Sequence, residues 1–243
     1  MNVTQLKNHQ EASAYLARML THQIQVTPES RIILASGGTP SLAYEMAGEQ
    51  LLGVDTSRVT IIKLDEWVGL PEASSSSCEY QLMNEVIKPW RIEPHHYLSF
   101  DGAAHDILNE AERVSGLLAA CQPAHLCVLG IGLNGHIGFL EPSPSLPYRS
   151  SVVSLHAMSK NHPMVKNQYE VSLGITIGIG DIMECEKVVL VATGEHKQQI
   201  LARLLESDIS TSLPASLLKL HPNVELIVDD KALRPMERKE WSL

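Results

Sequence analysis

The chain has 243 residues, 44% hydrophobic and 19% charged, with a formal net charge of −9. That length and apolar content can bury one large core and fit a single domain over 1–243. The acidic balance opposes general nucleic-acid binding, since phosphate backbones attract basic surfaces, so an anionic substrate would need a local positive pocket. No apolar run nears the ~20 residues of a membrane span, and Met1 to His9 lacks a secretory pattern, so no membrane association and a cytoplasmic location are expected. Cys78, Cys121, Cys127 and Cys185 include no C-x-x-C pair, so buried free thiols are expected in place of disulfides or a zinc site.

Ala12, Tyr15, Leu16, Met19, Leu20 and Ile24 recur at helical spacing, and Arg31 to Ala35 is short, β-branched and apolar, as a buried parallel strand should be. Thr39 followed by Pro40 predicts an N-cap and first helical position, opening a helix that runs to about Leu52. Val59 to Leu64 reads as the second strand, and a polar loop follows through Ser77. Cys78 to Trp90 reads as a helix, Tyr97 to Phe100 as a short strand, Ala104 to Ala120 as a helix and His125 to Leu129 as a strand. After a long loop, Leu173 to Ile179 and Lys187 to Ala192 read as strands, Glu195 to Glu206 as a helix and Val224 to Val228 as a closing strand. The alternation predicts an α/β, doubly wound, Rossmann-like fold, with a mostly parallel sheet, helices on both faces and right-handed crossovers.

Four polar segments follow directly on strands: Ser36-Gly37-Gly38-Thr39, Asp65-Glu66-Trp67, the glycine-rich run from Gly130 to Pro142, and Thr193 to Lys197. In a doubly wound sheet the carboxyl ends of the strands share one rim, where ligands bind at the topological switch point. The third segment, GIGLNGHIGFLEP, puts His136 and Glu141 on a loop whose glycines let backbone approach a ligand closely. Gly130, Gly132 and Gly135 match the dinucleotide spacing G-x-G-x-x-G, but Phe139 to Pro144 forbids a helix and Leu155 stands where the acidic residue should be.

Ser36 to Pro40 presents backbone N–H groups at a helix start, which suits a monophosphate or is an ordinary tight turn. Lys197 in the first turn of a helix works against the macrodipole unless an anion sits there. Asp65 and Glu66 read either as an exposed turn pair or, if buried beside Trp67, as carboxylates with a pKa raised towards the range of a general base. His95, His96 and His125 read as surface or packed histidines.

The runs LASGGTP, KLDEWVGLP, LGIGLNGHIGFLEP and VATGEHK, in this order, resemble the sugar-phosphate isomerase/deaminase family that contains glucosamine-6-phosphate deaminase and, more distantly, 6-phosphogluconolactonase. The resemblance covers nearly the whole chain. It implies a hexosamine 6-phosphate substrate, no cofactor and no metal. By the same resemblance Asp65 moves a proton between C2 and C1, His136 opens the sugar ring, Glu141 assists it, and Gly37, Gly38, Thr39 and Lys197 hold the phosphate. Some family members assemble, so a homo-oligomer is possible on this basis.

Two departures from the family pattern matter. Asn134-Gly135-His136 replaces the Asp-Gly-His of the glucosamine enzymes; with K-L-D-E-W-V and S-T-S-L-P-A-S near Ser210 to Ser216, the chain looks most like the galactosamine-6-phosphate deaminase/isomerase branch. The segment Ser159 to His162 lacks the arginine that reaches the phosphate in the deaminases, and Lys160 is the expected substitute. A lactonase and a non-catalytic sugar-phosphate sensor are the competing readings. The Asp-Glu-Trp sequence and Glu141-Pro142 weigh against the first. A lack of room before Arg31 for a DNA-binding helix-turn-helix weighs against the second.

Overall fold

A computed structural model describes residues 1–71, 74–121, 123–166 and 169–233. In chain order the elements are β1 (Asn2–Leu6), α1 (His9–Val26), β2 (Arg31–Leu34), α2 (Gly38–Gln50), β3 (Thr60–Lys63), β4 (Asp65–Trp67) and α3 (Cys78–Leu82), which runs into a π-helical turn over Met83–Ile87. Then come a 3₁₀ turn (Pro94–His96), β5 (Tyr97–Leu98), α4 (Ile107–Cys121), β6 (Leu126–Gly130), β7 (Ser151–Ser154), α5 (Ala157–Lys160), β8 (Leu173–Thr176) and α6 (Ile179–Met183). The chain closes through β9 (Val188–Ala192), a 3₁₀ turn (Glu195–Lys197), α7 (Gln198–Glu206), a 3₁₀ segment (Pro214–Leu220) and β10 (Val224–Asp229).

Seven strands form one sheet in the order β1-β10-β9-β6-β2-β3-β5, with every pairing parallel. Its central strands β2, β6 and β9 are continuous apolar runs because both faces are covered. Alternate residues serve opposite cores, as the two-residue period of a strand requires. Ile33, Ile62, Cys127 and Leu190 join α4 and α7 on one face, while Ile32, Ile61, Val128 and Val191 join α1 and α2 on the other. The chain leaves β2 towards β3 and β5, then returns to place β6 on the other side of β2. The loops after β2 and β6 therefore diverge from neighbouring strands, which opens a crevice between them.

A second, antiparallel sheet, β4-β8-β7, was not expected. Asp65-Glu66-Trp67 is therefore a strand and not a loop. Leu64 is the hinge between the sheets: its N–H donates to Leu34 O on β2, and its carbonyl accepts the N–H of Ile177 just past β8. The expected strand at Leu173 lies in this small sheet, outside the main one. Beneath it Trp67, Phe139, Leu155, Val165 and Val171 form a third apolar cluster.

Other differences are local. The N-cap of α2 is Gly37, not Thr39, so Thr39 and Pro40 occupy the first turn, where a missing N–H costs no hydrogen bond. The helix ends at Gln50 and not Leu52. The helix expected from Cys78 to Trp90 changes pitch at Met83, where the Lys88 N–H bonds to Met83 O. Among the described residues no helix is long and apolar enough to cross a membrane, and no three His, Cys, Asp or Glu side chains gather as a metal ion would require.

Candidate active site

The carboxyl ends of β2, β3, β6 and β9 border one cleft of about 370 Å³, and all four polar segments reach it. Ser36 to Pro40 lines it from the first, Asp65 from the second, Gly130 to Leu133 with His136 from the third, and His196 with Lys197 from the fourth. The segment after β7 closes another side with Met158, Ser159, Asn161 and His162. Four histidine or lysine side chains and one carboxylate line this cleft. In a protein of formal charge −9 the cleft thus gathers four side chains able to donate a hydrogen bond to an anion around a single carboxylate.

Asp65 is 8% exposed. Burial, followed by the neighbouring Glu66 carboxylate, pushes its pKa up to about 7, against the Lys63 ammonium and a hydrogen bond with the Cys78 thiol. Glu66 has a different task. Its two oxygens accept the N–H groups of Trp67 (2.8 Å), Cys78 (3.0 Å) and Glu79 (2.7 Å), and Lys63 Nζ donates to it at 2.9 Å. It caps α3 and ties that helix to β4, so it holds Asp65 in place without reaching the reacting atoms.

His136 is positioned from behind. Its Nδ1 lies 3.4 Å from Glu141 Oε2 and 3.3 Å from Ser159 Oγ, which leaves Nε2 as the nitrogen for substrate. Glu141 also accepts from Asn134 Nδ2 at 2.8 Å and from the His156 N–H at 3.1 Å, while Asn134 Oδ1 accepts the His136 N–H at 3.1 Å. Burial acts to raise the Glu141 pKa, but His136, Ser159 and Asn134 together bring it down to about 2. The carboxylate that Asn134 lacks is thus present at His136, delivered by Glu141. Neither Asn134 nor Glu141 lines the cleft; both act through His136.

The α2 N-terminus is shaped by Gln81, which the sequence did not single out. Its Oε1 accepts the Gly37 N–H at 2.8 Å and its Nε2 donates to Gly37 O at 3.2 Å and to Ser41 Oγ at 2.8 Å. Gly37 therefore has no free N–H for a ligand, which leaves the amides of Gly38 and Thr39, in the orphan first turn of α2, as the candidates to meet an anion. Lys197, the residue before α7, is half-buried; burial lowers its pKa, and its Nζ donates to Ile131 O. Lys160 is corrected: it is exposed and does not line the cleft, because the short α5 turns Ser159 inward and Lys160 out. Cys78 is the buried free thiol expected, and it contacts the candidate carboxylate Asp65. Ser159 and His162 were named only as part of a segment lacking an arginine; the turn that brings them inward has no signature in residue type.

Residues 4–227 match the family model for glucosamine-6-phosphate isomerases/6-phosphogluconolactonase. The chain belongs to this family. A glucosamine-6-phosphate deaminase of Staphylococcus epidermidis is 34% identical over 240 residues, covering 96% of this chain and 98% of that protein. AgaI of Escherichia coli (strain K12), assigned as a deaminase by inference, is 36% identical over 228 residues, 93% of this chain and 90% of that one. The structure of a monomeric glucosamine-6-phosphate deaminase superposes with a TM-score of 0.90 at 28% identity, covering 96% and 98% of the two chains. The 6-phosphogluconolactonase of Trypanosoma brucei shares the fold, with a TM-score of 0.78 at 19% identity over 95% and 97%.

Proposed function

We propose that the protein is a hexosamine-6-phosphate deaminase/isomerase of the cytoplasm, converting galactosamine 6-phosphate and water to tagatose 6-phosphate and ammonia. The observation that carries this reading is a buried carboxylate, Asp65, with a pKa of about 7, facing the same cleft as a carboxylate-braced histidine and an amide-lined helix start. Such a carboxylate is basic enough to take a carbon-bound proton and still ionised near neutrality.

In this mechanism the 6-phosphate rests on the Gly38 and Thr39 amides and Lys197. His136 Nε2 takes the proton of the C1 hydroxyl and delivers one to the ring oxygen, so the C1–O5 bond breaks and an open-chain aldehyde forms. Glu141 holds the imidazolium that forms on the way. Asp65 then removes the C2 proton, made acidic by the adjacent carbonyl, and returns it to C1, while the C1 oxygen takes up a proton given up by the C2 ammonium and becomes the hydroxyl. The nitrogen at C2 is left as an imine, and water adds to that carbon to release ammonia and leave the ketose.

Preference for the galacto sugar rests on the resemblance of Asn134-Gly135-His136 and of the Ser210 to Ser216 segment to the galactosamine-6-phosphate branch, and the two segments lie together. Ser210 to Ser216 packs behind the His136 loop, with the Ala215 N–H donating to Gly135 O and the Ser143 N–H donating to Thr211 O. The similarity to AgaI supports a deaminase, and the curated glucosamine-6-phosphate deaminases at 32–34% identity keep glucosamine 6-phosphate as the second reading. Ammonia release from the two sugars in parallel tests both. The expected result is at least about tenfold higher kcat/KM on the galacto sugar, a difference of about 1.4 kcal/mol in transition-state binding. Asp65→Asn is expected to abolish turnover on either sugar while sparing phosphate affinity, because a base acts in the transition state. Wild-type turnover in that variant would remove Asp65 from the mechanism.

A further inference from the structure

Lys160 points away from the cleft, yet two residues on, His162 enters it. The imidazole is held on several sides. The backbone N–H of His162 donates to Ser159 O at 2.9 Å, and its backbone carbonyl accepts the N–H groups of Val165 (3.0 Å) and Lys166 (2.8 Å), so the residue sits at the centre of a tight turn. Its ring lies tilted against Trp67, at 5.9 Å between centroids and 36° between planes, two residues from Asp65 in β4. Its Nδ1 accepts the Met164 N–H at 3.3 Å.

An Nδ1 that accepts places the ring hydrogen of the neutral form on Nε2. Among the described residues no hydrogen bond to that Nε2–H is formed within the protein. Burial first, then His136 and Lys197, act to lower the His162 pKa, which puts three basic groups within electrostatic reach of one another. Groups that repel each other in an empty site are stabilised together when an anion occupies it. The turn, the Trp67 contact and the Met164 contact fix the ring in advance, so little rotamer entropy is lost when Nε2–H meets its acceptor.

We propose that His162 binds the phosphate of the substrate directly, donating its Nε2–H to a phosphate oxygen opposite the ammonium of Lys197 and the amides of Gly38 and Thr39. The assignment rests on the reading of this cleft as a sugar-phosphate site. It makes a neutral or protonated imidazole a further phosphate ligand beside Lys197, the one lysine that lines the cleft among the described residues.

Two replacements separate donation from support. His162→Asn keeps an oxygen near the Nδ1 position for the Met164 N–H and deletes the distal donor, whereas His162→Gln places an amide N–H near the Nε2 position. Inorganic phosphate is titrated calorimetrically into wild type and both variants, and KM for galactosamine and glucosamine 6-phosphates is measured alongside. The expected result is a phosphate Kd and a sugar-phosphate KM raised roughly 10- to 100-fold in His162→Asn, the range for a hydrogen bond to a charged group. His162→Gln should stay within about threefold of wild type, and kcat should change little in either. Unchanged phosphate affinity in His162→Asn overturns the proposal, and so does an equal loss in both variants, which would mark a purely structural role. Because the phosphate titration needs no turnover, the expected affinity pattern without ammonia release would uphold His162 and reject the deaminase reading.

Discussion

Asp65 and Glu66 are neighbouring carboxylates in one three-residue strand, yet their surroundings give them opposite tasks. Glu66 spends its oxygens on three backbone amides and the Lys63 ammonium, while Asp65 keeps its carboxylate for the cleft and pays in desolvation, with a pKa of about 7. The consequence is a pH dependence. The base must be ionised to act, so kcat/KM for ammonia release should fall about tenfold per pH unit below about 7 and level off above it on that limb. An acidic limb near 4 would mean that the base titrates as an ordinary carboxylate and that burial does not raise its pKa. Glu141, held at about 2, should stay ionised across the same range and contribute no limb.

Among the elements, the loop from Gly130 to Leu140 shows most clearly how backbone serves chemistry. A Cβ on Gly132 would stand 2.2–2.5 Å from three atoms of the His136 ring, so the imidazole can lie where it does only over a residue without a side chain. Gly132→Ala should therefore displace the ring and lower kcat by roughly 100-fold, the scale of losing a positioned acid–base group, with inorganic phosphate affinity close to wild type. A variant with wild-type kcat would show that the ring works from another position. Legibility in the sequence followed the same division between regular pattern and local packing. The central strands were readable because burial on both faces leaves continuous apolar runs, and the site's four segments were readable because glycine, histidine and carboxylate gather after those runs. Three strands were not. β1 is a polar edge strand, Asn-Val-Thr-Gln-Leu, with one paired side and no apolar run; β7 is Ser-Val-Val-Ser; and β4 is too short for any period. The exchange of Lys160 for His162 inside the cleft has the same origin, since the rotation of a four-residue helix is set by what it packs against and not by its own sequence.

For the molecule as a whole, the buried carboxylate proposed as the base is a stability defect, and its cost can be read as a function of pH. Asp65 has a pKa near 3.8 when unfolded and about 7 when folded, so between these values the folded state binds more protons than the unfolded state. Stability must then fall as pH rises from about 4 to about 7, because deprotonation is easier in the open chain, and the full penalty is present above about 7. A shift of about 3 units corresponds to about 4 kcal/mol at most, and cleft water reduces the realised amount. Asp65→Asn removes the charge and keeps the shape, so the inactive variant should be more stable than wild type at pH 8. The gain should shrink steadily towards pH 4, where wild-type Asp65 is itself neutral on folding. Denaturant unfolding of both proteins at pH 8, 6 and 4.5 checks this. A difference that is constant with pH would show that the carboxylate is not desolvated. A wild type more stable than the variant at pH 8 would show that Lys63 and the Cys78 thiol stabilise the charge by more than burial costs. The predicted pattern would instead trace the loss of stability to the same burial that makes Asp65 a base.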